Sequence, residues 1–238
     1  MKERVFLRGV PVDIFPKEQV IATIEQWLQE PTCSHQIITL NATMLITALK
    51  NIQLKRIINQ ADLVTIDGYG VLLALRKNGY LNVQRFTGLE LVIQILDWCC
   101  QRNRLVYFYG GTPAVVQLLK KELALRWRGI RAICRDGYGD AVVKARIDRE
   151  LIETQPDLLF VGLGSPAQEI FLAQTLLKLR QTVGIGVGGA LEVLAGSKKA
   201  APLFLSQNGW EWCYRMWQNP GRLNRIPALI KYWYLFLR

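Results

Sequence analysis

The sequence is poor in the groups that most often do chemistry. It has one histidine, His35, and five cysteines, Cys33, Cys99, Cys100, Cys134 and Cys213, in 238 residues. The cysteine count is odd and no pair has CxxC spacing, so a disulfide framework or a structural zinc site is not expected, and the thiols read as reduced. No stretch reaches the roughly 18 uninterrupted apolar residues of a spanning helix, and the N-terminal "MKERVFLRGVPVDIF" lacks the apolar core of a signal peptide. Phosphate-binding GxxxxGK[ST] and nucleophile-elbow GxSxG motifs are missing, which argues against a P-loop NTPase and an α/β-hydrolase. "GLGSPA" and "GIGVGG" only graze GxGxxG. No Asp-x-Asp ends a strand, so a metal-bound phosphate site has little support. Acid is also scarce: 19 Asp and Glu stand against 30 Lys and Arg, a formal charge of +11. That surplus attracts polyanions, whether nucleic acid, anionic lipid or a phosphorylated substrate.

Half of the residues are hydrophobic, enough for a large core. Short apolar runs, "QIITL", "DLVTI", "RLVYFYGG", "DLLFVGLG" and "TVGIGVGG", alternate with helical patterns. Residues 43–60 read as one helix. "TGLELVIQ" opens with a capping box at Thr87 and Glu90, and "TPAVVQLL" places Thr112 as N-cap and Pro113 at the first helical position. "SPAQEIFL" repeats the hydroxyl-then-proline start. Strictly alternating strands and helices predict a Rossmann-like α/β fold, an open and mainly parallel sheet with helices on both faces. After residue 195 the pattern changes. Segment 196–238 carries Lys198, Lys199, Arg215, Arg222, Arg225, Lys231 and Arg238 against the single acid Glu211, interleaved with tryptophan and tyrosine and broken at Pro202, Pro220 and Pro227. The chain therefore divides into an α/β unit, 1–195, and a basic, aromatic-rich helical C-terminal appendage, 196–238.

Ligands of open parallel sheets sit beyond the carboxyl ends of the strands. That edge should carry Thr39, Asn41, Asp67, Gly110, Gly111, Tyr138, Gly164 and Gly188. Glycines that end a strand and open a helix suit a phosphate, through free N–H groups and the helix dipole, or are simply turn chemistry. Asp67 in "DLVTIDGYG" is either a functional carboxylate or a helix N-cap. Gln168 either reaches a ligand or completes a capping box with Ser165. His35, ahead of a strand, reads as a surface or core histidine. The tail "IPALIKYWYLFLR" is too short and charged to span a bilayer. It suits the interfacial zone, or docks onto the core.

Taken in order, "TLNATM", "ADLVTIDGYGV", "RFTGLEL", "YFYGGTP", "DGYG", "VGLGSPAQE", "GVGGALEVLAG" and "EWCYRMWQNPGRLNRIP" resemble the WecG/TagA/CpsF glycosyltransferase family over nearly the whole chain. The resemblance implies an inverting, metal-independent enzyme with no cofactor. It would move N-acetylmannosamine or a related hexose from a UDP-sugar donor to a polyprenyl-diphosphate-linked N-acetylglucosamine acceptor, in cell-envelope polysaccharide synthesis. It implies Asp67 as general base, with Thr39, Arg85 and Gln168 as active-site residues. Tyr138, Gly188 and Glu192 fall at the nucleotide, and Arg215, Arg222 and Arg225 are appendage arginines closing over the diphosphate. Leu191-Glu192 stands where the family often has Phe-Asp. The partners implied are the two substrates and an anionic membrane surface at the inner face of the cell membrane. A homo-oligomer is compatible, and no nucleic acid is expected. The competing readings are a nucleotide-dependent oxidoreductase and a non-enzymatic binder of RNA or membranes.

Overall fold

The fold is drawn from a computed structural model, which describes residues 2–29, 33–202, 204–205, 208–218, 221, 223 and 226–237. Pro220, Arg222, Arg225 and Arg238 lie outside the described residues, as does the side chain of Arg215.

An antiparallel hairpin, β1 (Glu3–Leu7) and β2 (Val10–Ile14), opens the chain. It is followed by α1 (Glu18–Gln29), β3 (His35–Leu40), α2 (Ala42–Ala48), α3 (Ile52–Gln60), β4 (Leu63–Ile66), α4 (Tyr69–Lys77) and α5 (Gly88–Gln101). Then come β5 (Leu105–Gly110), α6 (Pro113–Arg126), β6 (Arg131–Arg135), α7 (Ala141–Thr154), β7 (Leu158–Gly162), α8 (Ala167–Thr175), β8 (Val183–Gly186) and α9 (Ala190–Leu194). Among the described residues, the appendage segment contains helices α10 (Glu211–Gln218) and α11 (Ile226–Tyr232). The second runs into a π turn, Trp233–Leu237.

Strands β3 to β8 form one six-stranded sheet in the order β4-β3-β8-β7-β5-β6, and every pairing in it is parallel. The strands read as unbroken apolar runs because both faces are covered, as parallel sheets require. Side chains alternate between the faces. Ile37, Phe108, Phe160 and Ile185 pack under α1, α5, α6 and α9. On the other face Tyr107, Tyr109, Leu159 and Val161 meet α7 and α8, while Ile38, Leu40, Val64 and Ile66 meet α2, α3 and α4. The expected architecture is present.

Three local readings are corrected. Residues 43–60 form two helices: the chain breaks at Leu49–Asn51, and the Asn51 side chain caps α3 by accepting from the Leu54 N–H at 2.9 Å. Asparagine favours such caps because its carbonyl competes with the backbone for the orphan N–H groups. Ser165 does not cap α8. The Ser165–Pro166 bond is cis and Pro166 is the cap residue, without a side-chain hydrogen bond. The N-terminal hairpin was not anticipated. It is pinned to β4 by Asp13, whose buried carboxylate accepts from the Val64 N–H at 2.7 Å and from Arg4 Nε at 2.7 Å.

Candidate active site

The connections leaving β3 and β5 run to opposite edges of the sheet, so a crevice opens across the intervening carboxyl ends. Two groups of residues gather along it.

The first surrounds a cleft of about 660 Å³ whose walls include Asn41, Asp67, Gly68, Gly70 and Arg85 from the α/β unit and Trp210, Glu211, Met216, Leu229, Tyr232 and Trp233 from the appendage segment. Asp67 leaves β4 half-buried and faces this cleft. It does not cap α4, whose N-cap position is Gly68 with no side-chain hydrogen bond. Its Oδ1 instead accepts from the N–H of Gly88, the first residue of α5, at 2.7 Å. The approach is set by backbone: Phe86 N–H donates to Ile66 O at 2.8 Å, laying the loop before α5 alongside the end of β4. The Thr87–Glu90 capping box then fixes the helix start. Gly88 lies close to both residues: a β-carbon there would sit in van der Waals contact, 3.9 Å from Asp67 Oδ1 and 3.8 Å from Thr39 Oγ1.

Asn41 caps α2, its Oδ1 accepting from Met44 N–H at 3.0 Å, and its side chain packs under Gly68. Arg85 donates from Nη2 to Glu211 Oε2 at 2.7 Å, so the appendage's one acid is engaged by a cation of the α/β unit. Beside it the Asn208–Gly209 turn rests on the Tyr69 ring. A β-carbon at Gly209 (φ +80°) would fall 2.3 Å from Tyr69 Cδ1, so only glycine fits.

The second group is the row of glycine turns. Gly110 must lack a side chain, because a β-carbon would meet the Gly162 backbone at 2.6 Å. Gly137 N–H donates to Gly111 O at 3.0 Å, which brings the exposed Tyr138 loop over the β5 turn. Gly164 (φ +78°) has open space where a side chain would be. Gln168 is buried and holds two of these turns together: its Oε1 accepts from Gly188 N–H at 3.0 Å and Gly164 N–H at 3.2 Å. The capping-box alternative for Gln168 is thereby replaced, as its amide serves backbone in the turns after β7 and β8 rather than Ser165. Glu192 lies on α9 and accepts from Lys198 Nζ at 2.6 Å.

The groups join at Gly186. Thr39 Oγ1 donates to Gly186 O at 2.8 Å, and a β-carbon at 186 would strike Gln168 Nε2 at 2.6 Å. Thr39 and Gln168 are thus buried beneath the crevice, bracing its floor. His35 sits at the opposite end of β3, stacked on Trp27 at 4.4 Å between ring centroids with Nδ1 3.0 Å from Asp62 Oδ1, in keeping with a non-catalytic residue.

Sequence reasoning missed Glu169. It is 1% exposed, and its Oε1 accepts from Gln168 Nε2 at 2.7 Å. Desolvation by burial pushes its pKa above the ordinary carboxylate range, against the Gln168 and Ser165 hydrogen bonds that pull it down. A carboxyl whose pKa the fold raises costs nothing below its unfolded pKa. It costs progressively more as pH rises from there through the folded value. Replacing Glu169 by glutamine keeps the acceptor for Gln168 and removes that cost. Melting curves should coincide for the two proteins at acid pH and diverge in favour of E169Q as pH rises toward neutrality. A constant difference at all pH values would contradict the assignment.

The tail faces two ways. Tyr232 and Phe236 are buried against α2, α4 and the hairpin, whereas Ile230, Trp233 and Tyr234 are exposed. No helix among the described residues is long and apolar enough to cross a membrane.

Comparison with known proteins bears on this geometry. Residues 5–238 match the glycosyl transferase WecG/TagA/CpsF family. The chain is 31% identical over 198 residues to the N-acetylglucosaminyldiphosphoundecaprenol N-acetyl-beta-D-mannosaminyltransferase of Bacillus spizizenii, covering 82% of this chain and 76% of that one. It is 31% identical over 231 residues to the protein of the same name from Staphylococcus aureus strain NCTC 8325, covering 95% and 91%. These matches remove the oxidoreductase and the non-enzymatic readings. The chain belongs to the WecG/TagA/CpsF family and is a glycosyltransferase.

Proposed function

We propose that the enzyme moves N-acetylmannosamine, or a closely related hexose, from a UDP-sugar to a polyprenyl-diphosphate-linked N-acetylglucosamine, with inversion and without a metal ion. The observation that carries this reading is the position of Asp67, a carboxylate facing a cleft at the strand ends, beside Arg85 and under an aromatic, cationic segment. The relatives' names specify an N-acetylmannosaminyl group and an N-acetylglucosaminyl-diphosphoundecaprenol acceptor.

In the reaction Asp67 takes the proton of the acceptor hydroxyl as that oxygen bonds to the anomeric carbon. The bond from that carbon to the β-phosphate oxygen breaks, and UDP leaves with the electron pair. Attack from the face opposite UDP inverts the configuration. Gly88 N–H holds one carboxylate oxygen in place, so little reorganisation is needed. The transition state resembles an oxocarbenium ion, and the charge growing on UDP needs cations or dipoles. The glycine turns at Gly110–Gly111, Gly164 and Gly188 lead into α6, α8 and α9 and let the nucleotide phosphates approach the positive ends of those helices, with Tyr138 and Glu192 on the nucleoside side. Arg215, Arg222 and Arg225 supply guanidinium forks suited to phosphate oxygens. Residues 1–195 carry the chemistry, and 196–238 form a lid and the membrane contact, through the exposed Ile230, Trp233 and Tyr234.

A donor screen tests the reading. Each UDP-hexosamine is incubated with a synthetic polyprenyl-diphosphate N-acetylglucosamine, with and without a chelator, and UDP release is followed. Release with UDP-N-acetylmannosamine that survives chelation is the expected result. No release with any donor would refute the substrate assignment, and release abolished by the chelator would refute metal independence.

A further inference from the structure

Gln168 and Glu169 are sequence neighbours on the first turn of α8, where consecutive side chains ordinarily diverge. Here they converge, Gln168 Nε2 donating to Glu169 Oε1 at 2.7 Å. Room for this is made on β8. A β-carbon at Gly186 would lie 2.6 Å from Gln168 Nε2 and 3.1 Å from Glu169 Oε1, so any side chain there would displace the pair from its seat over the strand. The carbonyl of the same glycine takes the Thr39 hydroxyl at 2.8 Å. Gln36 Nε2, on β3, donates to the Glu169 main-chain carbonyl at 3.3 Å. Both side chains of the pair are buried.

The pair sits where the sheet's own hydrogen bonds stop. Strands β7 and β8 are paired as far as the Val187 N–H, which donates to Val161 O at 2.9 Å. Past that bond the chains turn through Gly164 (φ +78°) and Gly188 (φ +49°). A single atom, Gln168 Oε1, then bridges them by accepting from both N–H groups, at 3.2 and 3.0 Å. An amide that presents its oxygen to two donors must put its nitrogen on the far side. That nitrogen is buried, and a buried N–H without an acceptor is costly. Glu169 supplies the acceptor, and so acts on both turns through Gln168.

We infer that Glu169 is a positioning residue for the nucleotide donor: by locking the Gln168 amide it fixes the separation of the Gly164 and Gly188 turns that receive the donor's diphosphate. The inference rests on the donor reading above, in which those turns face the nucleotide. The part needs an acceptor oxygen and not a charge. A glutamine at 169 can fill it, since its amide oxygen accepts as a carboxyl oxygen does. An aliphatic side chain at 169 cannot, and would leave the Gln168 amide free to turn away from one or both N–H groups.

Calorimetric titration with UDP and amide hydrogen exchange, both on the full-length protein, test the assignment. Glu169→Leu should bind UDP about tenfold more weakly than native, the effect of losing one hydrogen bond that orients a buried amide. Glu169→Gln should stay within about twofold of native. Exchange should quicken in Glu169→Leu at residues 162–165 and 186–189 and stay native at 66–68. Leu172→Ala separates positioning from stability. Leu172 is fully buried on the same helix, so its truncation should lower the melting temperature and leave UDP affinity native. Native UDP affinity in Glu169→Leu, or an equal loss in either Glu169→Gln or Leu172→Ala, would overturn the assignment. Should the native protein bind no UDP, the donor reading falls and the exchange pattern decides alone: quickened turns in Glu169→Leu uphold the clamp, and unchanged turns overturn it.

Discussion

Replacing Asp67 by asparagine is expected to lower kcat by a factor of about 10² to 10⁴, the usual worth of a positioned proton transfer. The substitution is nearly isosteric. The side-chain carbonyl can still accept from the Gly88 N–H that now holds Oδ1 at 2.7 Å, so the start of α5 should stay in place. What is lost is the capacity to take a proton. UDP-sugar affinity, read from the shift in melting temperature with ligand, should remain within about twofold of native because Asp67 is not among the groups proposed to hold the nucleotide. The two readouts separate the possible roles. A loss of turnover with donor binding intact assigns proton transfer to Asp67. Near-native turnover refutes that role, and a parallel loss of donor binding makes the carboxylate a binding group instead.

Ending the chain after residue 195 is expected to lower kcat/KM by at least about a hundredfold, since it removes one side of the reaction space and its positioning groups. Trp210, Glu211, Met216, Leu229 and Tyr232 all belong to the removed segment. Arg85 would lose its 2.7 Å contact with Glu211, and the buried surfaces of Tyr232 and Phe236 would vanish from the packing against α2 and α4. The truncated protein should therefore also melt at a lower temperature and fail to float with anionic liposomes that carry the full-length protein. Retained kinetics would show that 1–195 suffices for catalysis and that the proposed lid is dispensable. Equal flotation would remove the membrane contact from the segment.

Much of the fold was legible because buried parallel strands leave a plain trace. "QIITL" and "DLLFV" are apolar on both faces, and the helices between them start on side chains with a local mechanism, Thr87 with Glu90 and Thr112 before Pro113. Those signals act within a single turn of chain. The hairpin escaped because its two short strands are made by a partnership of Asp13 with Arg4 and Val64, the last of them 51 residues away. The break between α2 and α3 escaped because apolar spacing carries on through Leu49 and hides the Asn51 cap.

The site divides in the same way. Asp67, Asn41 and the glycines could be placed at strand ends by the alternation of elements alone. The duties of Gln168 could not, because Ser165 three residues earlier imitates a capping box while its real partners are Gly164 and Gly188. Neither the Arg85–Glu211 ion pair nor the Tyr232–Gly70 contact has a local signature. Each joins segments more than a hundred residues apart, and only folding brings them together.

Helix α11 has a last consequence for how the enzyme would find its second substrate. Its Leu229, Ile230, Tyr232 and Trp233 all line the reaction space, and Ile230 and Trp233 stay largely exposed, so the outer side of the helix borders the mouth of the cleft. With that outer side seated in a lipid leaflet, an acceptor already dissolved in the same leaflet arrives by sliding sideways, and its hydrocarbon never crosses water. Saturation would then follow the acceptor's mole fraction among the lipids rather than its amount per volume of solution. Diluting the acceptor with inert lipid should slow turnover even when the total acceptor in the tube is unchanged.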